Sequence, residues 1–363
     1  MATKFLPVKA LDETLRGMKL TLIAVAGLFV FLGCQSFRYH DPQKPHRGET
    51  QFYNNYDNSP KASFWKWQWE RLTGPHKDEA PFRPPVLKTD TEYLRQNKSE
   101  TTLTWIGHSS FLLQLHGKNV VTDPVFSERV SPVSFMGPKR LVALPFEQKE
   151  LPPVDVVLVS HAHYDHLDLK TLRELNKQNQ GKTLFLVPLG NADLLKSEGI
   201  ENVKELDWWE QFSLDGLTIT FTPAQHWTQR SLWDRNQTLW GGWHVQSEKF
   251  KFFYAGDTGY SKDFSDVHSR FGDVDLALIP IGAYEPRWFM GKQHVDPDGA
   301  VKIHKDLHSR LSIGVHWGTF RLSDEPMAEP PQELAAARDR AGIPEGGFRV
   351  MMHGEVLKLD NRK

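Results

Sequence analysis

The chain has 363 residues, 39% of them hydrophobic and 25% charged, a balance compatible with one large globular domain or two ordinary ones. Its net charge of −1 excludes an overall basic field for nucleic acid. A single cysteine excludes an intrachain disulfide even in an oxidising compartment, and 16 histidines invite a search for metal ligands.

The first 34 residues stand apart. Lys4, Lys9, Arg16 and Lys19 precede an apolar run from Leu20 to Cys34, shorter than the ~20 residues that comfortably span a bilayer. A positive start, an apolar middle and small residues near the end make a signal peptide. Its ending, Phe31-Leu-Gly-Cys34, resembles a bacterial lipoprotein signal, although Phe31 stands where leucine is usual. That resemblance implies lipidation of Cys34 and a place in the bacterial cell envelope, on the periplasmic side of the outer membrane. The alternative is an uncleaved amino-terminal anchor. Residues 35–60 are polar and turn-rich and read as a tether. Trp65, Trp67 and Trp69 follow in a basic context. They suit either a membrane interface or an arm packed on the main body, with Trp65 and Trp69 on one face if the segment is helical. Pro81-Phe-Arg-Pro-Pro85 reads as a spacer. The expected organisation is a signal or anchor over 1–34, a tether and aromatic arm over 35–99, and a hydrolase domain over 100–363.

From residue 100 the pattern is strand-rich. Leu103–Ile106 precedes a hairpin, Phe111–Leu115 and Asn119–Thr122, around His116-Gly117. Further strands are expected at Val154–Ser160, Leu184–Pro188, Leu217–Thr222, Phe250–Ala255, Leu276–Ile281, Leu311–Val315 and Phe348–Met352. Helices are expected at Leu167–Asn179, Ala192–Glu198, Pro297–Leu307 and Pro331–Ala341. Two strand-rich halves with helices between their strands predict an α/β sandwich layered helix–sheet–sheet–helix.

The chemistry concentrates where strands end. The run 154–160 delivers His161-Ala-His163-Tyr-Asp165-His166. Imidazoles and a carboxylate this close suit zinc, and the Asp-His pair can serve a second ion about 3.5–4 Å from the first. Three more apolar runs end in His226, Asp257 and His316. Sheet geometry gathers such ends along one edge.

His161-Ala-His163-Tyr-Asp165-His166 resembles the HxHxDH signature of the metallo-β-lactamase superfamily, whose fold is an αβ/βα four-layer sandwich. Five longer stretches narrow the match: Pro223-Ala-Gln-His-Trp227, Ala255-Gly-Asp-Thr-Gly-Tyr260, Ile281-Gly-Ala-Tyr-Glu-Pro-Arg-Trp-Phe-Met290, Gln293-His-Val-Asp-Pro297 and Val315-His-Trp-Gly-Thr-Phe320. Together they resemble the family of N-acylphosphatidylethanolamine-hydrolysing phospholipases D, over roughly residues 60–355. The resemblance implies two zinc ions per chain. One takes His161, His163 and His226, the other takes Asp165, His166 and His316, and Asp257 and a water or hydroxide bridge them. It places His294 beside the metals with Asp165 and Asp257 as catalytic groups. His294 would hydrogen-bond a developing phosphorane oxygen or protonate the leaving alkoxide. The implied partners are a membrane phospholipid and the membrane itself, with homodimerisation open and no nucleic acid. The amino terminus departs from the animal enzymes and points to a bacterial relative.

Other residues keep two readings. Asp123 either orients a ligand histidine or caps a turn. Asp168 caps a helix or supports the site. His108 reads as buried and structural, and Glu285 with Arg287 as a structural pair. Trp227, Trp288 and Gln293 are candidates for substrate contact, and Trp227, Trp233, Trp288, Phe289 and Met290 form either an acyl groove or core. The chain contains no Walker-type phosphate loop and no G-x-S-x-G elbow, so the expected nucleophile comes from solvent. The neighbouring reading is a hydrolase of another ester, lactone or phosphodiester on the same fold. The reading from another class is a non-catalytic envelope lipid-binding protein, and the full ligand set weighs against it.

Overall fold

The structure, a computed structural model, describes residues 37–59, 62–73, 82 and 84–359. The signal or anchor expected over 1–34, Cys34 with it, lies outside these residues, as do Pro81 and Arg83 of the expected spacer. No helix among the described residues is long and apolar enough to cross a membrane. The chain divides into two units, 1–51 and 52–363. The described part of the first, 37–51, consists of turns closed on themselves. Arg47 N donates to Lys44 O at 2.8 Å, and the Arg47 guanidinium pairs with Asp41 at 3.6 Å.

The second unit begins with α1 (Phe64–Thr73) and α2 (Thr91–Gln96). Next come β1 (Thr101–Gly107), β2 (Ser110–Leu115), β3 (Lys118–Thr122), β4 (Val156–Leu158), α3 (Leu169–Gln178), β5 (Leu184–Pro188), α4 (Ala192–Ser197) and β6 (Val203–Leu206). The second half holds β7 (Gln211–Leu214), β8 (Leu217–Thr222), β9 (Gly242–Gln246), β10 (Lys251–Tyr254), α5 (Asp263–Phe271) and β11 (Leu276–Pro280). It closes with α6 (Arg287–Met290), α7 (Pro297–Asp306), β12 (Leu311–Val315), α8 (Glu329–Arg340), β13 (Phe348–Arg349) and β14 (Val356–Leu359).

The strands make two seven-stranded sheets, ordered β14-β1-β2-β3-β4-β5-β6 and β13-β12-β11-β10-β9-β8-β7. Both are mixed. β14 through β3 pair antiparallel and β3 through β6 parallel. β7 through β10 pair antiparallel and β10 through β13 parallel. Parallel neighbours need crossovers, and the crossovers supply the outer helices. Leu172 and Leu175 of α3 and Leu195 of α4 pack with Ile106, Leu112, Val121, Val157 and Phe185 of the first sheet. Phe264, Val267, Ile303 and Leu334 from α5, α7 and α8 cluster with Phe253, Ala277, Ile279 and Phe348 of the second. The alternate residues, among them Trp105, Phe111, Val120, Trp243, Phe252 and Tyr254, are fully buried on the opposite faces. Trp243 Nε1 crosses between the sheets to Val159 O at 3.0 Å. The expected αβ/βα sandwich is the observed fold.

Local chemistry explains most element ends. The hairpin turn at His116 and Gly117 has both φ positive, 52° and 73°, as a two-residue turn requires. Asp168 caps α3 by accepting from Lys170 N and Thr171 N, which settles its reading as a cap. Asp296 caps α7 ahead of Pro297. Several strands and helices escaped sequence reading. β6, β7 and β14 are edge or near-edge strands whose residues are mostly half-exposed or exposed, so they lack an apolar run. β9 is central yet carries Gly242, Trp243 and His244. Gly242 is required because a Cβ there would come within 2.5 Å of Tyr254 O. α5 is only nine residues long, and α2 and α6 are shorter still.

α1 resolves the tryptophan question by dividing it. Trp67 is buried and stacks on Phe289 at 4.8 Å, while Trp65 and Trp69 are 79% and 67% exposed.

Candidate metal centre

Six strand ends meet at one edge of the sandwich. Asp123 follows β3, the 161–166 loop follows β4, His226 follows β8, Asp257 follows β10, Ala283 follows β11 and His316 follows β12. The 161–168 loop is pinned by Arg230, whose Nη1 donates to Ala162 O at 2.8 Å and Leu167 O at 2.9 Å. The same guanidinium lies 4.0 Å above the Tyr164 ring.

Two groups of donor atoms result. In the first, His163 Nδ1 lies 2.9 Å from His161 Nε2 and 3.3 Å from His226 Nε2. In the second, Asp165 Oδ2 lies 3.4 Å from His166 Nε2 and 3.2 Å from His316 Nε2. Asp257 Oδ2 sits between them, 3.1 Å from both His166 and His316 and 3.9 Å from both His161 and His226. All seven residues expected as ligands are thus brought together.

The remaining ring nitrogens set the orientation of three histidines. Asp123, in a buried pocket, accepts four hydrogen bonds: from Ser160 N at 2.7 Å, Ser160 Oγ at 2.5 Å, Tyr254 Oη at 2.5 Å and His166 Nδ1 at 2.6 Å. Because Ser160 Oγ gives its proton to Asp123, it accepts from His161 Nδ1 at 2.9 Å. His226 Nδ1 donates to Gln293 O at 2.9 Å. Each ring therefore spends its Nδ1 hydrogen outward and leaves Nε2 facing Asp257, the nitrogen a cation would take. Asp123 is thus the orienting carboxylate of its two readings.

Electrostatics point the same way. Burial and the neighbouring imidazoles push His161 well below its usual value. Burial opposes charge on His166, yet Asp257, Asp165 and Asp123 hold it well above that value. Burial opposes charge on His316 as well, and Asp257 still lifts it to about 9. Burial opposes ionisation of Asp165 and Asp257, but His166 beside them keeps both carboxylates well below their usual range. The carboxylates of Asp165 and Asp257 thus favour positive charge beside them, which a bound cation would supply. Asp257 Oδ1 and His166 Nε2 are buried without a hydrogen-bond partner, so the donor set fits metal ions.

His294 lies just outside this set. Its Nδ1 is 3.9 Å from Asp257 Oδ2 and has no hydrogen-bond partner. Burial pushes the ring down to about 4, against the pull of Asp257, so it is neutral at neutral pH. Arg287 holds its backbone, donating from Nη1 to His294 O at 3.0 Å, and pairs with Asp296 at 3.3 Å. The guanidinium does not pair with Glu285, whose carboxylate accepts from Arg287 N instead. His108 is buried and also belongs to the site region: its Nε2 lies 3.2 Å from Asp165 Oδ2. Its sequence context, Gly-His-Ser-Ser, carried no sign of that contact. Tyr254, inside a strand, likewise carried none.

These groups form the floor of a cavity of about 1070 Å³, at the upper end for ligand pockets. Its walls include Trp65, Trp67, Trp227, Leu232, Trp233, Phe289, Met290 and Leu322. Trp227 stands edge-on to His163 at 4.6 Å, with Arg235 4.5 Å over its ring. Gln293 lines the cavity; Trp288 is not among its lining residues and stacks under Lys66 Nζ at 4.5 Å.

Fold and site together define a metal-dependent hydrolase of the β-lactamase superfamily, and the profile of the Beta-lactamase superfamily domain matches residues 118–317. Over 271 residues the chain is 42% identical to the N-acyl-phosphatidylethanolamine-hydrolyzing phospholipase D 1 of Caenorhabditis elegans, covering 71% of this chain and 76% of that one. It is 38% identical over 274 residues to the mitochondrial N-acyl-phosphatidylethanolamine-hydrolyzing phospholipase D of Saccharomyces cerevisiae, covering 72% and 58% respectively. The chain belongs to this family within the superfamily. A metallo hydrolase from the archaeon Ignicoccus hospitalis shares the fold, with a TM-score of 0.55 at 23% identity over 72% of this chain and 99% of that one.

Proposed function

We propose that the chain is a dinuclear zinc phosphodiesterase of the phospholipase D type. It hydrolyses N-acylphosphatidylethanolamine to N-acylethanolamine and phosphatidic acid. The observation that carries this reading is the meeting of two donor groups on Asp257 Oδ2 at the floor of a large, aromatic-walled cavity. Kinship with the phospholipases supports the substrate class. His161, His163 and His226 would hold one zinc ion, and Asp165, His166 and His316 the other, with Asp257 shared; nitrogen and carboxylate donors suit that metal. When bound, two such ions polarise a phosphoryl oxygen and bring the pKa of water toward neutrality.

The chain's own residues do the rest. The aromatic walls bury acyl chains and keep bulk water from the phosphate. Asp165 and Asp257 hold the reacting water by hydrogen bonds and orient it toward phosphorus. Water oxygen bonds to phosphorus, the bond from phosphorus to the ethanolamine oxygen breaks, and the departing alkoxide takes up the proton that the attacking water gives up. His294 offers an N–H to the phosphoryl group as negative charge builds there.

Product analysis tests the reading. Purified protein given several glycerophospholipids in mixed micelles should release N-acylethanolamine and phosphatidic acid from the N-acylated lipid, and a chelator should stop it. Metal analysis should find about two zinc per chain. Turnover confined to soluble phosphodiesters, or undiminished in chelator, would sink it.

We further propose that the protein works at a bacterial envelope membrane, held by acylated Cys34 or by an uncleaved apolar segment. The lone cysteine ending an apolar run supports this, as do Trp65 and Trp69 facing solvent on α1. Mass spectrometry of the membrane-extracted protein decides between a mature chain beginning at modified Cys34 and one beginning at Met1. Recovery of all the protein in the soluble fraction counts against both.

A further inference from the structure

His226 lies beyond the end of β8, just after the isolated bridge that pairs Gln225 with Gly259. Both of its main-chain polar groups are taken by one distant side chain. Asn54 Oδ1 accepts from His226 N at 3.0 Å, and Asn54 Nδ2 donates to His226 O at 3.1 Å. The same oxygen accepts from Trp240 Nε1 at 2.9 Å, and the same nitrogen donates to Asp57 O at 3.4 Å. An asparagine amide has two donors and room for two acceptor contacts. All four are used, and all four agree on which end is oxygen. Trp240 is fully buried and also donates to Ala224 O at 3.0 Å, so the amide is braced against the core.

The segment around Asn54 is fastened to the loops that carry the site. Phe52 is buried, and its N–H donates to Asn236 O at 3.0 Å. Asn54 N and O are both bound by the Asn58 side chain at 2.8 Å. Gln225 Nε2 donates to Asp57 O at 2.6 Å, and Asn55 Nδ2 donates to Asp263 Oδ1 at 2.8 Å. Residues 52–59 thus lie across the loop after β8, which carries His226, and reach the start of α5, which follows the segment that carries Asp257.

We propose that Asn54 is a positioning residue of the metal centre, and that the 52–59 arm completes that centre by clamping the backbone of His226. The Gln293 carbonyl sets the rotation of the His226 ring through Nδ1. It cannot set where the ring starts from. The Gln225–Gly259 bridge holds the residue before His226, and Asn54 holds the N–H and carbonyl of His226 itself. Groups that orient a ligand in this way change metal affinity about 10–100-fold when removed.

The inference rests on the reading of His226 as a ligand, and the test separates the two. Metal-free wild type, Asn54→Ala, Asn54→Asp and His226→Ala are titrated with zinc against a chromophoric chelator. His226→Ala should lose one of two zinc ions. Asn54→Ala should bind that one ion about 10–100-fold more weakly and the other unchanged, and excess zinc should restore its turnover. Asn54→Asp keeps both acceptor contacts but sets a carboxylate oxygen against His226 O and Asp57 O, so it should weaken the same ion at least as far. If His226→Ala retains both ions, the ligand reading fails. If it loses one while Asn54→Ala binds both like wild type, the inference alone fails. A lower melting temperature for metal-free Asn54→Ala with unchanged zinc affinity also overturns it, because that marks a purely structural role.

Discussion

Asp257→Asn is expected to abolish metal binding and turnover together while leaving the fold intact. The substitution keeps shape and volume at a fully enclosed position, so packing is not disturbed. It takes the negative charge from the one oxygen that both donor groups share, 3.1 Å from His166 and His316 and 3.9 Å from His161 and His226. That charge is one of the two carboxylate charges at the centre that offset the charge of two cations, and an amide nitrogen placed there would face nitrogen donors. A bridging charge of this kind contributes several kcal/mol, and each 1.36 kcal/mol is tenfold, so a loss of at least about 10³-fold in turnover is expected. Metal analysis, thermal melting and lipid turnover on one preparation check it. A folded Asp257→Asn variant with two zinc ions and wild-type turnover would remove Asp257 from the bridge.

His294→Ala should separate chemistry from metal binding. The ring is 3.9 Å from Asp257 and outside the seven-residue set, so both ions should stay. Turnover should still fall, by roughly the 10²–10⁴-fold typical of a positioned acid, base or hydrogen-bond donor. The structure also narrows the role. Burial holds the ring down to about 4, which leaves it neutral above that pH, and a neutral imidazole gives a hydrogen bond far more readily than a whole proton. The loss should therefore be similar for a lipid and for a phosphodiester with a more acidic leaving alcohol, as expected of a group serving the phosphoryl oxygens. A loss that shrinks with the better leaving group would instead show proton donation, with bound substrate raising the ring's pKa. Loss of zinc from His294→Ala, or full turnover without it, would contradict the assignment.

Kinship with the N-acyl-phosphatidylethanolamine-hydrolyzing enzymes and the cavity walls meet in one physical argument. A metal centre alone specifies hydrolysis and leaves the scissile bond and the groups on either side of it open. On the proposed function the walls would read the lipid tails; there Trp65, Trp67, Trp227, Trp233 and Phe289 surround about 1070 Å³. Two of those residues come from α1, well ahead of the strands that carry the ligands. The amino-terminal arm therefore lines the cavity above the candidate metal centre.

Much of the site was legible because metal ligands of this kind sit at strand ends. An apolar, β-branched run followed by His or Asp is visible in one dimension, as at β8 with His226 and β12 with His316. β5, β8 and β12 occupy the expected residues without adjustment. Fully buried strands announce themselves by composition. β6, β7 and β14 do not, because edge strands share their surface with solvent.

By itself, the sequence determined the sandwich and the histidines and aspartates at strand ends, since each depends on what one segment buries or presents, and its motifs carried the resemblance that implied the ligand set and the class of chemistry. Only the tertiary structure decided who holds those ligands. Asp123 collects donors from Ser160, Tyr254 and His166. Asp165 meets His108 across 57 positions of sequence. Arg287 pairs with Asp296 and not with Glu285. Asn54 grips His226 across 172 positions. Periodicity reports burial along one element, whereas a hydrogen bond between elements depends on how the sheets bring their ends together. That meeting exists only once the chain has folded.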